Sequence, residues 1–418
     1  MLYFRRSPRL FYTLTLWILL PLVTGLNLAS ADETRTFRVY LDADRQANYE
    51  TARSIEMGVR AAFADPSLHP EGVAFEIVPL DHRGNSKRSF RNIRTYLNDA
   101  EGVAIFGGQH SSGYLTYRTQ INERGALLLL PWSAAGPITR SDTPLNWIFR
   151  ASVDDTKAGE FLVNEAVSKG NCTAPSLILL NSGWGRANER TIKWALAERG
   201  IFEPPTFYFD AEAAKSMIRL QVSDIRAAGA DCVIMITNAA GGAKFVSALA
   251  EEEEVIRAYS HWGVMGADFS DATTADERAR LDFQFIQTCL PFESSSNPAL
   301  NRAVAAARRE FPGEFTTFEE RTAPAGFAHA YDLGLLLLAA MRSTPLTGDI
   351  SDIRAQIRER LENMEKPVEG LLKTYTKPFS NFGSDRHEAL GARDLCLARY
   401  NEQGRVVFPS VGDVAARP

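Results

Sequence analysis

Between residues 36 and 133, short continuous apolar runs alternate with stretches in which apolar positions recur every three to four residues. TFRVYL (36–41), VAFEIVPL (73–80), VAIFGG (103–108) and ALLLLPWS (126–133) predict strands. The segment after Tyr49, with Ile55, Val59, Ala62 and Phe63 on one face, predicts a helix, as do SFRNIRTYLND and GYLTYRTQINERG. The alternation then starts again. SLILLNSG (176–183), an edge-like TFYFD, DCVIMITN (231–238), HWGVMG (261–266) and FQFIQTCL read as strands. RANERTIKWALAERG, KSMIRLQVSDIRAAG and GGAKFVSALAEEE read as the helices between them. Strands that are apolar on both faces belong in parallel sheets covered on both sides by helices. Two such series, parting near residues 150–155, predict two doubly wound α/β lobes. GFAHAYDLGLLLLAAM (326–341) contains His329 and Asp332, so it reads as a buried helix rather than a membrane span.

In open sheets of this kind ligands lie beyond the carboxyl ends of the strands. Asp42 and Asp44 follow the first strand, residues 107–112 the third, and Trp132-Ser133-Ala134-Ala135-Gly136 the fourth. In the second series Ser182-Gly183-Trp184-Gly185, Asn238 and Ala267-Asp268 occupy the same positions. Facing strand tips would form one cleft, and the glycines would let the backbone approach whatever it holds. Ser111 and Ser112 fall where a helix begins, a place that favours an anion. The alternative is that they only cap that helix. Asp268 has the same two readings, ligand contact or cap of the helix in DATTADERARL. Trp132 either enters the pocket or packs beneath its turn, and His110 reads as a polar bend residue.

The N-terminus changes the picture of location. MLYFRRSPRL is basic, FYTLTLWILLPLVTGL is apolar, and Ala29-Ser30-Ala31 is an A-x-A site, the order of a secretory signal cleaved after Ala31. Its 16-residue apolar run, interrupted by Pro21 and Gly25, is short for a span. Losing Arg5, Arg6 and Arg9 takes the formal charge from −5 to −8. An acidic chain without a basic stripe is a poor partner for nucleic acid. Cys172, Cys232, Cys289 and Cys396 are even in number and far apart, which excludes the usual zinc spacing and suits disulfides in an exported protein. Cys172 and Cys232 precede or open strands expected to be neighbours, which suggests that they pair; Cys289 ends the last strand of the second series and Cys396 lies in LCLARY, expected to return to that lobe, so their pairing would clip the C-terminal segment.

The order of these segments resembles the periplasmic binding proteins that take up leucine, isoleucine and valine. The resemblance rests on SIEMGVRAAF after an opening strand, the strand–Gly–Ser–Ser–helix unit and the P-x-S-A-x-x-P-x-T turn from Pro131 to Thr139. WIFRASVDDTKAG, SLILLNSGWGRAN, WGVMGADF, LPFESSSNPALNRAVAAARREF, FAHAYDLGLLLLAAM and EGLLKTYTKPFS continue it along nearly the whole mature chain. It implies two lobes joined by three chain crossings that close over a small ligand. Lobe one would be 35–150 plus 292–378, and lobe two 151–291 plus 379–415. It also implies that Ser111, with Ser133 and Ala134, binds a carboxylate, that Asp268 accepts an ammonium, and that Tyr49 and Trp184 close over the ligand. Ser112 and Asn238 join these as candidates at their strand ends. Trp132 stands where the family usually has a small residue, which leaves the ligand's identity open.

The resemblance implies a monomer that hands an amino acid or related carboxylate to an ABC permease in the membrane, with no cofactor and no metal. A sensory module with a receptor or kinase partner has the same sequence features, as does a binder of an amide, a urea-like compound or an aromatic acid. No G-x-S-x-G, H-E-x-x-H or phosphate-loop pattern occurs, and a Ser–His–Asp arrangement has no third member placed by sequence, so an enzyme is not expected.

Overall fold

The computed structural model describes residues 1–3, 7–8, 34–140, 143–265, 267–289, 298–315, 324–381 and 387–408, with Ala267 and Asp268 by backbone alone. The apolar run and the Ala29-Ser30-Ala31 site lie outside these residues.

The first sheet follows from the alternation within its strands. In β1 (Arg35–Ala43), Phe37, Val39 and Leu41 enter one buried cluster, while Tyr40 enters another on the opposite face. With β2 (Val73–Asp81), β3 (Gly102–Gly107), β4 (Leu128–Leu130) and β5 (Ile148–Arg150) it forms a parallel sheet in the order β2-β1-β3-β4-β5. Helices α1 (Tyr49–Phe63) and α2 (Ser86–Leu97) match expectation. The predicted helix after Gly113 is instead two short ones, α3 (Ser111–Thr116) and α4 (Arg118–Glu123), parted at Tyr117. The predicted strand ALLLLPWS is paired only over β4, because Pro131 has no N–H to continue the ladder.

The second lobe opens with α5 (Asp155–Val163). Its strands are β6 (Pro175–Leu180), β7 (Thr206–Phe209), β8 (Cys232–Ile236), β9 (Arg257–Ser260) and β10 (Gln284–Thr288). They are separated by α6 (Gly183–Ala197), α7 (Lys215–Ala227), α8 (Ala239–Ala250), α9 (Ala267–Ser270) and α10 (Ala275–Arg280). β10-β9-β8-β6-β7 are parallel, with β7 at the edge as predicted. One strand was misplaced: the ladder runs through β9, and HWGVMG is a 3₁₀ turn at Trp262–Val264 beyond its end. Burial explains the error, since Trp262, Val264 and Met265 are as hidden as a core strand.

From β10 the chain returns to the first lobe as α11 (Pro298–Glu310), α12 (Pro324–Arg342) and α13 (Ile350–Glu362), then the short pair β11 (Val368–Glu369) and β12 (Thr374–Tyr375). α12 packs against α1. Among the described residues it is the one helix long and apolar enough to cross a membrane, but its apolar surface is buried within the lobe. The chain crosses last to β13 (Leu395–Tyr400) and β14 (Val406–Val407), antiparallel to β10 and to each other. There are thus three crossings: β5 to α5, β10 to α11 and β12 to β13. The first and third lie side by side, with Arg150 N–H donating to His387 O and Ala389 N–H to Arg150 O, both 2.9 Å. Disulfides join Cys172 to Cys232 beside β6 and β8, and Cys289 to Cys396 beside β10 and β13.

Candidate functional site

A crevice of about 650 Å³ lies between the two sheets, and the residues after seven strand ends line it. From lobe one come His82 and residues 84–86 after β2, residues 109–113 after β3, and Trp132 and Ala134 after β4. Lobe two supplies Asn181, Ser182 and Trp184 after β6, residues 210–213 after β7, Asn238 after β8, and Trp262 and Gly263 after β9. On one side the lobes touch. A Cβ on Gly183, in the first turn of α6, would lie 3.5 Å from Ser112 Oγ and 3.7 Å from a Leu115 methyl.

Six of the residues singled out in the sequence therefore meet in one place: Ser111, Ser112, Trp132, Ala134, Trp184 and Asn238. Ser111 is the first residue of α3 and is buried. Its Oγ accepts the Ala135 N–H at 3.3 Å, which leaves its own hydrogen to donate. Neither serine caps the helix by a side-chain bond; the N-cap is His110. At six residues α3 has a small dipole, so hydroxyls matter more here than the helix terminus. Asn238 caps α8 by accepting the Gly241 N–H at 2.9 Å, with its residue on the crevice wall.

Ser133 and Tyr49 stand elsewhere. Ser133 is fully buried behind the wall, where its hydroxyl donates to Gly108 O at 2.6 Å and braces the β3 turn. Tyr49 begins α1, 49% exposed and outside the crevice lining. The Asp268 side chain lies outside the described residues, and its backbone belongs to α9. The following helix, α10, is capped by Thr274 in a capping box with Glu277, so it makes no use of Asp268. Gly107 and Gly108 also have a different reason from the one the sequence suggested. A Cβ on Gly107 would sit 2.8 Å from the Tyr114 ring, and one on Gly108 would sit 2.9 Å from the Ala43 backbone. They admit protein, not ligand.

Beneath the lobe-one wall runs a polar network that sequence reading saw only in part. Asp42 is buried and accepts from Ser89 Oγ, from Asn92 Nδ2 at 2.7 Å and from Tyr114 OH at 3.0 Å. Burial pushes its carboxyl above the usual range despite those donors. For Asp44 burial acts the same way but is outweighed by His110, Asn48 and the Gln46 N–H, so its pKa falls. His110 Nε2 lies 3.1 Å from Asp44 Oδ2, and the residue also lines the crevice. His82 Nδ1 accepts the Gly84 N–H at 3.0 Å, and burial lowers its pKa, so it is a neutral ring with Nε2–H free to donate.

Three further crevice residues were missed altogether. Trp262 lay inside the segment misread as a strand, and Asp210 and Glu212 follow β7 without any motif. Behind Trp262 a fully buried His261 lies with Nε2 2.9 Å from Asp155 Oδ1, a pair 106 positions apart that no local pattern announces. Among the described residues no Lys or Arg lines the crevice. It offers neutral donors on the lobe-one side and two carboxylates on the lobe-two side.

Two doubly wound lobes, three crossings and a crevice built from strand ends define a hinged solute-binding protein. The chain belongs to the periplasmic binding protein family: the family described as "Periplasmic binding protein" matches residues 45–405. That family binds small molecules and works with ABC permeases rather than performing catalysis. Among solved structures the fold is similar to a periplasmic binding protein type 1 from Bordetella pertussis Tohama I, at 16% identity and TM-score 0.73, covering 90% of this chain and 100% of that one. It is similar to the branched-chain amino acid transporter substrate binding protein LivJ from Streptococcus pneumoniae in complex with isoleucine, at 14% identity, TM-score 0.69 and coverage of 90% and 100%. It is also similar to an ABC transporter solute binding protein from R. palustris in complex with 4-hydroxybenzoate, at 14% identity, TM-score 0.70 and coverage of 90% and 96%. No curated protein matches the sequence.

Proposed function

We propose that this protein captures a small carboxylate ligand, an amino acid or a related acid, between its lobes and delivers it to an ABC permease. The observation that carries this reading is the crevice itself, lined from both sheets by hydroxyls and neutral ring N–H groups, with acids facing them from lobe two. Ser111 and Ser112 donate to the carboxylate, with Ala134 alongside and Ser133 holding the turn. Asn238, Trp132 and Trp184 line the remainder. Asp268 accepts an ammonium where the ligand has one, and Tyr49 folds over the ligand as the lobes close. A ligand that touches both lobes stabilises the closed form by the difference in its affinity for the two states. Lobe limits of 35–150 plus 292–378 and 151–291 plus 379–415, cleavage after Ala31, export to the periplasm and a monomeric state complete the proposal. The two disulfides fit an oxidising compartment.

The test is a thermal-shift screen of amino acids, simple acids and amides, followed by calorimetry on the hits. A carboxylate should raise the melting temperature, and Ser111→Ala should weaken its binding about tenfold, the worth of one hydrogen bond to a charged group. Stabilisation by amides or sugars but by no carboxylate would refute the reading.

A further inference from the structure

We propose that the crevice is built for a ligand with a planar, conjugated body bearing oxygen acceptors, held against indole faces, rather than for a branched aliphatic side chain. This rests on the crevice being the ligand site and names the class of ligand it takes.

Three indoles line it, each from a different strand end: Trp132 after β4, Trp184 after β6 and Trp262 after β9. Two of them sit on places the chain keeps empty. A Cβ on Gly326 of α12 would stand 3.0 Å from Trp132 Cζ3, and one on Gly263 would meet the Thr237 carbonyl first and stand 2.7 Å from Trp184 Cη2. Trp132 is thus more than a packing residue beneath its turn: it lies against α12 at a glycine, where the side chain is missing, and it still lines the crevice. The lobe-two indoles are fixed from behind by one ring. His261 meets Trp184 edge-on, with centroids 5.2 Å apart at 77°, and meets Trp262 at 3.9 Å and 48°. Asp155 Oδ1 lies 2.9 Å from His261 Nε2 behind that ring, outside hydrogen-bonding geometry.

Walls held this way present fixed planes, and fixed planes favour flat ligands, which lose little internal freedom when they stack. A branched aliphatic chain needs a pocket that closes around its methyl groups, which rigid indoles do not provide. The polar complement agrees. Trp132 and Trp262 are each 4% exposed, and among the described residues neither indole N–H donates to a protein acceptor. Neither N–H is among the fully buried unpaired atoms, so each keeps enough access to donate to a ligand or to water. With no Lys or Arg in the lining, the matching acceptors are carboxylate or carbonyl oxygens met by neutral donors.

The experiment titrates the mature protein with 4-hydroxybenzoate, benzoate, phenylalanine and tryptophan, with leucine and isoleucine, and with the neutral benzamide. Binding is followed by tryptophan fluorescence and calorimetry. At least one planar probe should bind ~100-fold more tightly than leucine or isoleucine. Trp262→Phe, which keeps a ring and removes the N–H, should weaken that probe about tenfold while leaving the melting temperature of the free protein nearly unchanged. Leucine or isoleucine binding as tightly as every planar probe, or no planar probe binding, overturns the inference and leaves the carboxylate reading standing if an aliphatic carboxylate binds. Benzamide matching benzoate has the opposite meaning: the planar body stands and the carboxylate reading falls.

Discussion

At the scale of single residues, α12 carries two buried titratable groups one turn apart that respond to pH in opposite senses. His329 Nδ1 lies 2.7 Å from Pro131 O, and a carbonyl only accepts, so that nitrogen holds the proton. Nε2 then accepts from Thr288 Oγ1 at 2.8 Å. The neutral ring joins the turn before Trp132 to the end of β10, and burial lowers its pKa from 6.5 to about 4. Asp332 accepts from Leu371 N–H, Leu372 N–H and Tyr375 OH, yet burial raises its pKa from 3.8 to about 6. A depressed histidine contributes stability above pH 6.5 that is lost as the pH falls toward 4, worth about 3 kcal/mol over that range. A raised aspartate does the reverse, contributing below pH 3.8 and losing that contribution as the pH rises through 6. Across the shared window the two offset each other. His329→Asn should unmask the aspartate, so the stability gap between wild type and variant should widen by about 3 kcal/mol from pH 4 to 6.5 in urea titrations. A gap independent of pH would refute the assignment. The sequence placed both residues in a buried helix, but their partners come from Pro131, Thr288 and residues 371–375, and no local pattern reaches that far.

At the scale of elements, what was legible is what repeats. Continuous apolar runs marked β1, β2, β3, β6, β8 and β10, and helical spacing marked α1, α2, α6, α7 and α8, because those patterns are set by the layers packed directly against each element. The failures share a cause. HWGVMG and the end of ALLLLPWS are turns buried as deeply as strands, so hydrophobicity could not tell them apart; both lie on the crevice, where the fold hides turns under the opposite lobe. The disulfides allow a prediction at this scale. Cys172–Cys232 closes a separation of 60 beside a ladder in which Pro175 pairs with Cys232 and four further residues follow. Cys289–Cys396 closes a separation of 107, and among the described residues the strand it clips, β13, is flanked on its other side only by the two residues of β14. Each bond should contribute about 2–4 kcal/mol, with the second at the upper end. Replacing Cys289 and Cys396 by Ser should lower the urea midpoint more than replacing Cys172 and Cys232, and should open the β13 segment to trypsin. The reverse order of midpoints would show that β13 is held by its ladder alone.

For the whole molecule, the question is how a ligand between the lobes is felt at the crossings. Arg150 ends β5 with its side chain fully buried. Its Nη1 donates to Ala135 O at 2.9 Å, and Ala135 N–H in turn donates to Ser111 Oγ. Asp155 N–H donates to Ala134 O at 2.8 Å. The turn that lines the crevice is thus tied directly to the first crossing. The third crossing answers with Glu388, whose carboxylate lies 2.6 Å from Arg150 Nη2, 2.7 Å from Thr139 Oγ1 and 3.0 Å from Lys157 Nζ. Arg140 pairs with Asp154 at 2.9 Å, and Asp154 stays ionised because Arg150 and its other partners outweigh the burial that would raise its pKa. Three cations and two acids share this buried space, so removing one negative charge leaves a guanidinium uncompensated in a dry environment. Losses of about 3–5 kcal/mol follow from breaking such a pair. Glu388→Gln keeps the size and the hydrogen-bonding reach but not the charge. It should speed hydrogen exchange at the Arg150 and Ala389 amides, which pair the two crossings, by at least ~100-fold, the equivalent of about 3 kcal/mol. Amides of β1 should exchange as before. Equal acceleration in β1 would mean global unfolding, and no acceleration at Arg150 and Ala389 would mean that the backbone ladder holds the crossings together without the buried charges.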